Sequence, residues 1–326
     1  MKEPPPRTAH RARLGDRSLF PDLEPEAYLS HAAISPASIA VREAVTAVLD
    51  DYATKGGTRG FGRWMAQRQR LRATLAELVG ADARDIGFVP NTTQGVIDIA
   101  LCLPWKHGDR VVLFEGEFPA NVTPWQRAAE LFGLELVFVP LSPFERSHDE
   151  GLEQLEAELS RGARLAATSF VQFQTGLRMP VERMAERCHA HGAELFVDAI
   201  QGLGAVPLDA GAAGIDYLAC GGHKWLMGLE GAGFLYVAPE RVRALRPHVA
   251  GWLAHEDAFA FLFQGPGHLR YDRPIRRDAG IFEPGAQNVA GYAGLEAAVD
   301  LITGLGVERV VEHVSAYLDA LEPALV

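Results

Sequence analysis

Between residues 86 and 237 the chain alternates short apolar runs with stretches whose apolar residues recur at helical spacing. The runs "IGFVP", "RVVLFE", "LELVFVPL", "RLAATSFVQF", "ELFVDA", "IDYLAC" and "GAGFLYVA" are rich in the β-branched and aromatic residues that favour strands. Between them, Val96/Ile99/Ala100/Leu103 and Val181/Met184/Ala185/Cys188 follow the i, i+3, i+4, i+7 pattern of one helix face, and helices are expected near 124–132 and 151–160. This order predicts an α/β fold: a mostly parallel sheet covered by helices on both faces, with ligands bound beyond the carboxyl ends of the strands.

Upstream, Ser38 precedes Val41, Val45, Val48, Leu49 and Tyr52, an amphipathic helix. The four glycines of "TKGGTRGFG" are expected to end it in a flexible loop. A second helix then runs from about Trp64 through Leu71, Leu75 and Leu78 to Gly80. Downstream, "NVAGYAGLEAAVDLITGLG" and "VERVVEHVSAYLDALEPALV" predict two more helices.

Composition narrows the class. A chain of 326 residues can bury a substantial core, and 48% hydrophobic with 22% charged residues is ordinary for a soluble globular enzyme. The net charge of −11 opposes binding to a phosphate backbone, so no nucleic-acid partner is expected. Three cysteines without a CxxC pair support neither a disulfide framework nor a zinc ribbon, and no metal is expected. No run reaches the roughly 18 apolar residues of a membrane span, and the start is polar and proline-rich. These features point to a cytoplasmic protein acting on a small molecule.

The chemistry lies in the turns after the strands. "PNTTQG" places Asn91, Thr92 and Thr93 between a strand and a helix, where hydroxyls and free backbone N–H groups can meet an anion. "EGEFPANVTPW" places Phe118 after another strand, where its ring can stack on a flat ligand. Asp198 ends "ELFVD", and Lys224 lies in the turn Gly221-Gly222-His223-Lys224. Singly, these read as a helix cap, a core aromatic, a capping acid and a solvated lysine. Together they answer the needs of pyridoxal 5'-phosphate: a carboxylate to keep a pyridine nitrogen protonated and an amine to form an imine with an aldehyde. No GxGxxG follows the first strand, which argues against a dinucleotide-dependent dehydrogenase.

"VDAIQGLGAVPLD" followed by "GIDYLACGGHKWLMGLEGAGFLYV" resembles the class V aminotransferase and cysteine desulfurase-like group of fold-type I pyridoxal phosphate enzymes. The similarity runs from "YLSHAAISP" to "FEPGAQNVAG", and "EFPAN" and "VQFQTG" have a kynureninase-like character. The resemblance implies that Lys224 is the aldimine lysine, Asp198 the pyridinium partner and Gln201 a donor to the cofactor's phenolic oxygen. Thr92, Thr93 and His223 would form the phosphate cup, and Phe118 would stack on the ring. It further implies a homodimer with active sites near the interface, and an amino acid substrate handled through an external aldimine and α-carbanion, by an aminotransferase or a C–S lyase.

Three departures qualify that expectation. Gly221 stands where the family has a phosphate-binding serine. Ile281 and Ala286 stand where it has an arginine and the threonine lent by the partner subunit. The span that completes the small domain in relatives, with its carboxylate-gripping arginine and its persulfide-forming cysteine, is absent up to Val326. Arg270 and Arg273 are candidate replacements for that arginine. The expected organisation is an N-terminal arm over 1–28, a large cofactor-binding domain over 29–265 and part of a small domain over 266–326. A catalytically weak relative that binds cofactor as a partner subunit is the alternative.

Overall fold

The computed structural model describes residues 10–325, so the proline-rich start of the expected arm lies outside the described residues. Helix α1 (Ile39–Leu78) is capped by Ser38, whose hydroxyl accepts from the N–H of Val41 at 3.3 Å. The glycine-rich stretch does not open into a loop. The helix is interrupted at Gly56 alone (φ 65°, ψ 155°) and resumes at once. One positive-φ residue is enough to redirect the backbone, a conformation that suits glycine. Gly60 then lets Trp64 lie against the backbone, since a Cβ there would meet the indole at 2.5 Å, and Tyr52 packs on the same ring at 4.7 Å. The helix ends before Gly80, in the left-handed region at φ 64°.

After α1 the order is β1 (Ile86–Val89), α2 (Thr92–Cys102), β2 (Arg110–Phe114), α3 (Thr123–Phe132), β3 (Glu135–Val139), α4 (Ser142–Arg146), α5 (His148–Leu159), β4 (Ala163–Ser169) and α6 (Val181–Ala190). Then come β5 (Glu194–Asp198), β6 (Tyr217–Gly221), β7 (Gly233–Val237), α7 (Pro239–Val242), α8 (Ala260–Gln264), α9 (Val289–Leu305) and α10 (Val307–Leu325). Each predicted strand and long helix is present within a few residues of its expected place.

The seven strands form one sheet in the order β1-β7-β6-β5-β4-β2-β3. All pairings are parallel except those of β7, which runs antiparallel to both β1 and β6. Side chains alternate faces along each strand, as the two-residue period requires. Val112, Phe114, Leu195, Val197 and Leu218 enter one core with α1, α5, α6 and α9. Val111, Leu113, Phe196, Tyr217 and Ala219 enter the other with α2 and α3. Because both faces are covered, central strands such as β5 and β6 are buried at every residue, hence their unbroken apolar runs. Truncating Phe196, which is fully buried, is expected to cost about 3–5 kcal/mol.

Helix α9 packs against α1 with Gly294 facing Val41 and Val45, and Arg70 forms a two-pronged pair with Glu296 at 3.0 and 3.2 Å. The Tyr292 hydroxyl donates to the carbonyl of Val89, tying α9 to the end of β1. Val307 is the only buried residue of α10. Since β1, β2, β4, β5 and β6 all point the same way, the turns that follow them meet along one edge of the sheet.

Candidate active site

The turn after β1 opens α2, with the Asn91 side chain accepting from the N–H of Gln94 at 2.8 Å. Thr92 is buried, and its hydroxyl accepts from the N–H of Gly221 at 2.9 Å, fastening this turn to the end of β6. Gly221 thus bonds to Thr92 through its backbone, and a Cβ added there would stand 3.0 Å from Ile200 and 3.2 Å from the His223 ring. A cavity of about 610 Å³ opens beside this junction. Asn91, Thr92, Thr93, Phe118, Asp198, Gln201, His223 and Lys224 all line it, so the residues singled out in four separate turns share one chamber.

Asp198 ends β5 with 3% exposure, and Oδ1 accepts from the N–H of Ile200 at 3.0 Å. Burial, with the nearby Glu117 adding to it, pushes the acid up to about 7, against the lowering influence of the Ile200 N–H and of Lys224. Lys224 moves the other way: burial lowers its ammonium pKa, opposed by Asp198 and Cys220. Its Nζ lies 5.5 Å from the centroid of the Phe118 ring, and Phe118 meets Phe173 edge to face at 5.2 Å. His223 is held below its ordinary value by burial and then by Lys224. The chamber thus holds an acid displaced upward and an amine displaced downward, the kind of perturbation that marks acid–base sites.

Gln201 is already engaged. Its Nε2 donates to the carbonyl of Ala32 at 3.0 Å, and its Oε1 accepts from Trp225 Nε1 at 3.1 Å, leaving one amide hydrogen for a ligand. Ala32 belongs to a strap, residues 28–35, that runs along the cavity. Ser35 N–H donates to the carbonyl of His223 at 2.8 Å, and the His31 ring stacks on Trp225 at 5.7 Å. Leu29, Ser30, Ala32 and Ala33 complete the rim.

Sequence reasoning assigned no role to this strap, to Phe173 or to Glu117. Glu117 is buried and accepts from Ser169 N–H, Ser169 Oγ, Gln172 Nε2 and Asn121 Nδ2. Polar residues of a strand-following turn beside Phe118 were the available signal, but nothing in the sequence said that this acid faces inward.

Other expectations fall outside the chamber. Arg270 and Arg273 do not line it; they pair with Asp272 and Asp257. Ile281 is 3% exposed within the core beside β1, a packing position, while Ala286 is exposed. Cys102, Cys188 and Cys220 are all buried free thiols, and burial pushes Cys188 up to about 12 and Cys220 well above its ordinary value. Buried thiols held in the neutral form do not make a nucleophile. A second cavity, about 630 Å³, lies between the end of α1 and the α9–α10 corner and contains none of the predicted residues.

The sequence profile of the Aminotransferase class-V family matches residues 27–325. The chain belongs to this family. It is 32% identical over 300 residues to a cysteine desulfurase of Dickeya dadantii (strain 3937), covering 89% of this chain and 69% of the relative. It is 31% identical over 266 residues to a probable cysteine desulfurase of Mycolicibacterium paratuberculosis, covering 79% of this chain but only 36% of that relative's length. Among solved structures it superposes on C-DES carrying glycine covalently linked to its PLP cofactor, with a TM-score of 0.81 at 26% identity, over 91% of this chain and 76% of the other. A second structure of that protein, described as a cystine C–S lyase in complex with its product cysteine persulfide, matches with a TM-score of 0.76 at 25% identity, over 85% and 72%. The class V chain therefore has the fold-type I architecture expected from its strand and helix order.

Proposed function

We propose that this class V chain is a pyridoxal 5'-phosphate-dependent enzyme acting on an amino acid, by amino transfer or by C–S lysis. The observation that carries the reading is the convergence of Asp198 and Lys224 on one cavity with opposite pKa displacements. The donor set fits the cofactor. Asp198, with one oxygen bonded only to a backbone N–H, is an acid without a cation to neutralise it directly. Thr92, Thr93, His223 and the start of α2 offer hydroxyls, a ring nitrogen and backbone N–H groups for a phosphate. The remaining amide hydrogen of Gln201 is a donor for a phenolic oxygen, and Phe118 a face for the ring.

When bound, the cofactor supplies an aldehyde for an amine and a ring that withdraws electrons from the substrate Cα. Lys224 Nζ, its ammonium pKa lowered by burial, would be the amine that holds the cofactor's aldehyde and the base that takes the proton from the substrate Cα. Asp198 would keep a proton at the pyridine nitrogen. Borohydride reduction of the loaded protein followed by peptide mapping is expected to place the pyridoxyl group on Lys224; a label on another lysine would overturn the assignment.

The intact Asp198–Lys224 pair supports a working enzyme over a cofactor-binding relative without activity. Among the described residues lining the cavity there is no arginine, and a guanidinium clamp for a substrate carboxylate is proposed to come from outside this wall. A homodimer is the proposed source. It is supported by the exposed apolar surface of Trp252, Leu262 and Phe263, 44%, 54% and 67% exposed, where the Trp252 and Phe263 rings pack on Phe259 and Phe61. The proposed division into a large domain to about residue 265 and a small-domain portion beyond it is supported by the sparse burial of α10. Cytoplasmic residence is proposed on the three free thiols; among the described residues no helix is long and apolar enough to cross a membrane.

A further inference from the structure

We propose that Glu117 is a positioning residue that acts through Asp198: a second, fixed carboxylate whose task is to keep a proton at the acid end of the cavity. The inference rests on the cofactor reading for its catalytic meaning, but its physical basis lies in the chain alone. Glu117 leaves the end of β2 and turns inward, 8% exposed. Oε1 accepts from the Ser169 N–H at 2.7 Å and from Gln172 Nε2 at 2.8 Å; Oε2 accepts from Ser169 Oγ at 2.5 Å and Asn121 Nδ2 at 3.2 Å. Three N–H donors and a serine hydroxyl converge on the two oxygens, a donor set suited to a carboxylate.

The arrangement is oriented as well as satisfied. Asn121 is itself oriented by Trp125, whose Nε1 donates to Asn121 Oδ1 at 3.2 Å and so turns the amide hydrogens toward Glu117. Gln172 keeps its Oε1 buried and unpartnered in order to aim its N–H at Glu117. A buried acceptor left unpaired is costly, about 1–3 kcal/mol, so the donation to Glu117 prevails over the needs of Gln172.

The network reaches Asp198 through the sheet. Ser169, which gives Glu117 two of its four bonds, is the register partner of Asp198 across the parallel β4–β5 pair, and the Phe170 N–H donates to the Asp198 carbonyl at 2.8 Å. The charged or titratable groups acting on Asp198 are therefore Glu117 from the β2 turn, Lys224 from the β6 turn and the Cys220 thiol on β6. Lys224 favours ionisation of Asp198, whereas Glu117 opposes the appearance of a second negative charge beside it. The same repulsion opposes loss of the proton shared between Asp198 and any base it faces, since that loss also leaves a net negative charge next to Glu117.

The test uses Glu117→Gln and Glu117→Asp in the full chain, with and without pyridoxal 5'-phosphate. In cofactor-free protein, the Asp198 carboxyl followed by carbon-13 NMR is expected to titrate roughly one pH unit lower in Glu117→Gln than in the parent. In loaded protein, the pH midpoint of the visible absorbance is expected to fall in the same variant, with cofactor affinity changed no more than a few-fold. Glu117→Asp retains the charge and is expected to keep both midpoints near the parent's; if Glu117→Gln does not fold, this variant carries the test, and a fall of a full unit in it would overturn the proposal. Unchanged Asp198 titration in a folded Glu117→Gln would also overturn it, reducing Glu117 to a loop fastener. If the parent takes up no cofactor, the enzymatic reading fails with the catalytic meaning of Glu117, while the carboxyl titration still decides whether the two acids are coupled.

Discussion

The two ends of the central sheet both carry buried acids close to bases but treat them in opposite ways. At the start of the strands, Asp216 is 1% exposed and accepts from Arg241 Nε at 2.6 Å, from the Leu195 N–H at 2.6 Å and from His189 at 3.0 Å. Glu194 beside it takes Arg164 at 2.8 Å, Arg241 at 3.3 Å and the Tyr217 hydroxyl at 2.9 Å. Asp216 and Glu194 thus each face partners of opposite sign. At the other end, Asp198 has one backbone N–H and a carboxylate neighbour, and Lys224 has a ring face. Paired ions hold strands together, whereas acids and amines without direct partners are held at a cost that a ligand can relieve.

Substitutions at the two ends should therefore differ in kind. The largest effect is expected for Asp198→Asn: turnover falls by about 10²–10⁴-fold, in the range of acid–base contributions, while cofactor stays bound through Thr92, Thr93 and His223. In the cofactor-free chain the same change is stabilising at high pH. The folded pKa of Asp198 lies above its unfolded value, so the folded state binds more protons and stability declines as pH rises from about 4 to about 7. Chemical denaturation at pH 8 should show Asp198→Asn more stable than the parent by about 2 kcal/mol. Loss of stability, or near-normal turnover, would erase the contrast between the two ends.

Asp216→Asn should do the reverse. It leaves Arg241 and Glu194 imperfectly matched in a buried setting, and denaturant melts are expected to show a loss of about 3 kcal/mol, with the cofactor spectrum unchanged. A smaller effect is expected at Thr92. Thr92→Val removes the acceptor for the Gly221 N–H and a hydroxyl at the cavity, and fluorescence titration should show cofactor affinity about tenfold weaker. The smallest is at Arg270, whose exposed pair with Asp272 lies outside the cavity wall. Arg270→Ala should leave the denaturant midpoint unchanged, as expected for an exposed ion pair, and leave amino acid affinity unchanged, and a large affinity loss would restore it as a carboxylate clamp delivered across an interface.

The pocket end was more legible than the paired end because its chemistry sits in short turns between apolar runs. Asn91, Thr92, Thr93, Asp198, His223 and Lys224 interrupt strongly periodic segments, and a parallel sheet leaves such interruptions only one place to gather. Glu117 gave no comparable signal, since an acid in a turn reads as solvated until its four donors are known to be contributed by residues up to 55 positions away. The glycine stretch at 54–62 misled for a local reason: four glycines permit a loop, but only Gly56 takes the left-handed conformation, and Gly60 serves the Trp64 ring.

Sequence by itself determined the strand and helix order, the covered parallel sheet, the acid and lysine that share a chamber, and the class V resemblance. Each of these follows from short-range periodicity or from residue types at fixed spacing. The tertiary structure alone decided that β7 runs against its neighbours, that Ile281 is core, that Gln201 is tied to the strap at Ala32, and that Glu117 lies behind Asp198 through Ser169. Those facts depend on which distant residues meet and in what register. Periodicity along a chain reports which face of an element is apolar, but not which partner that face will find.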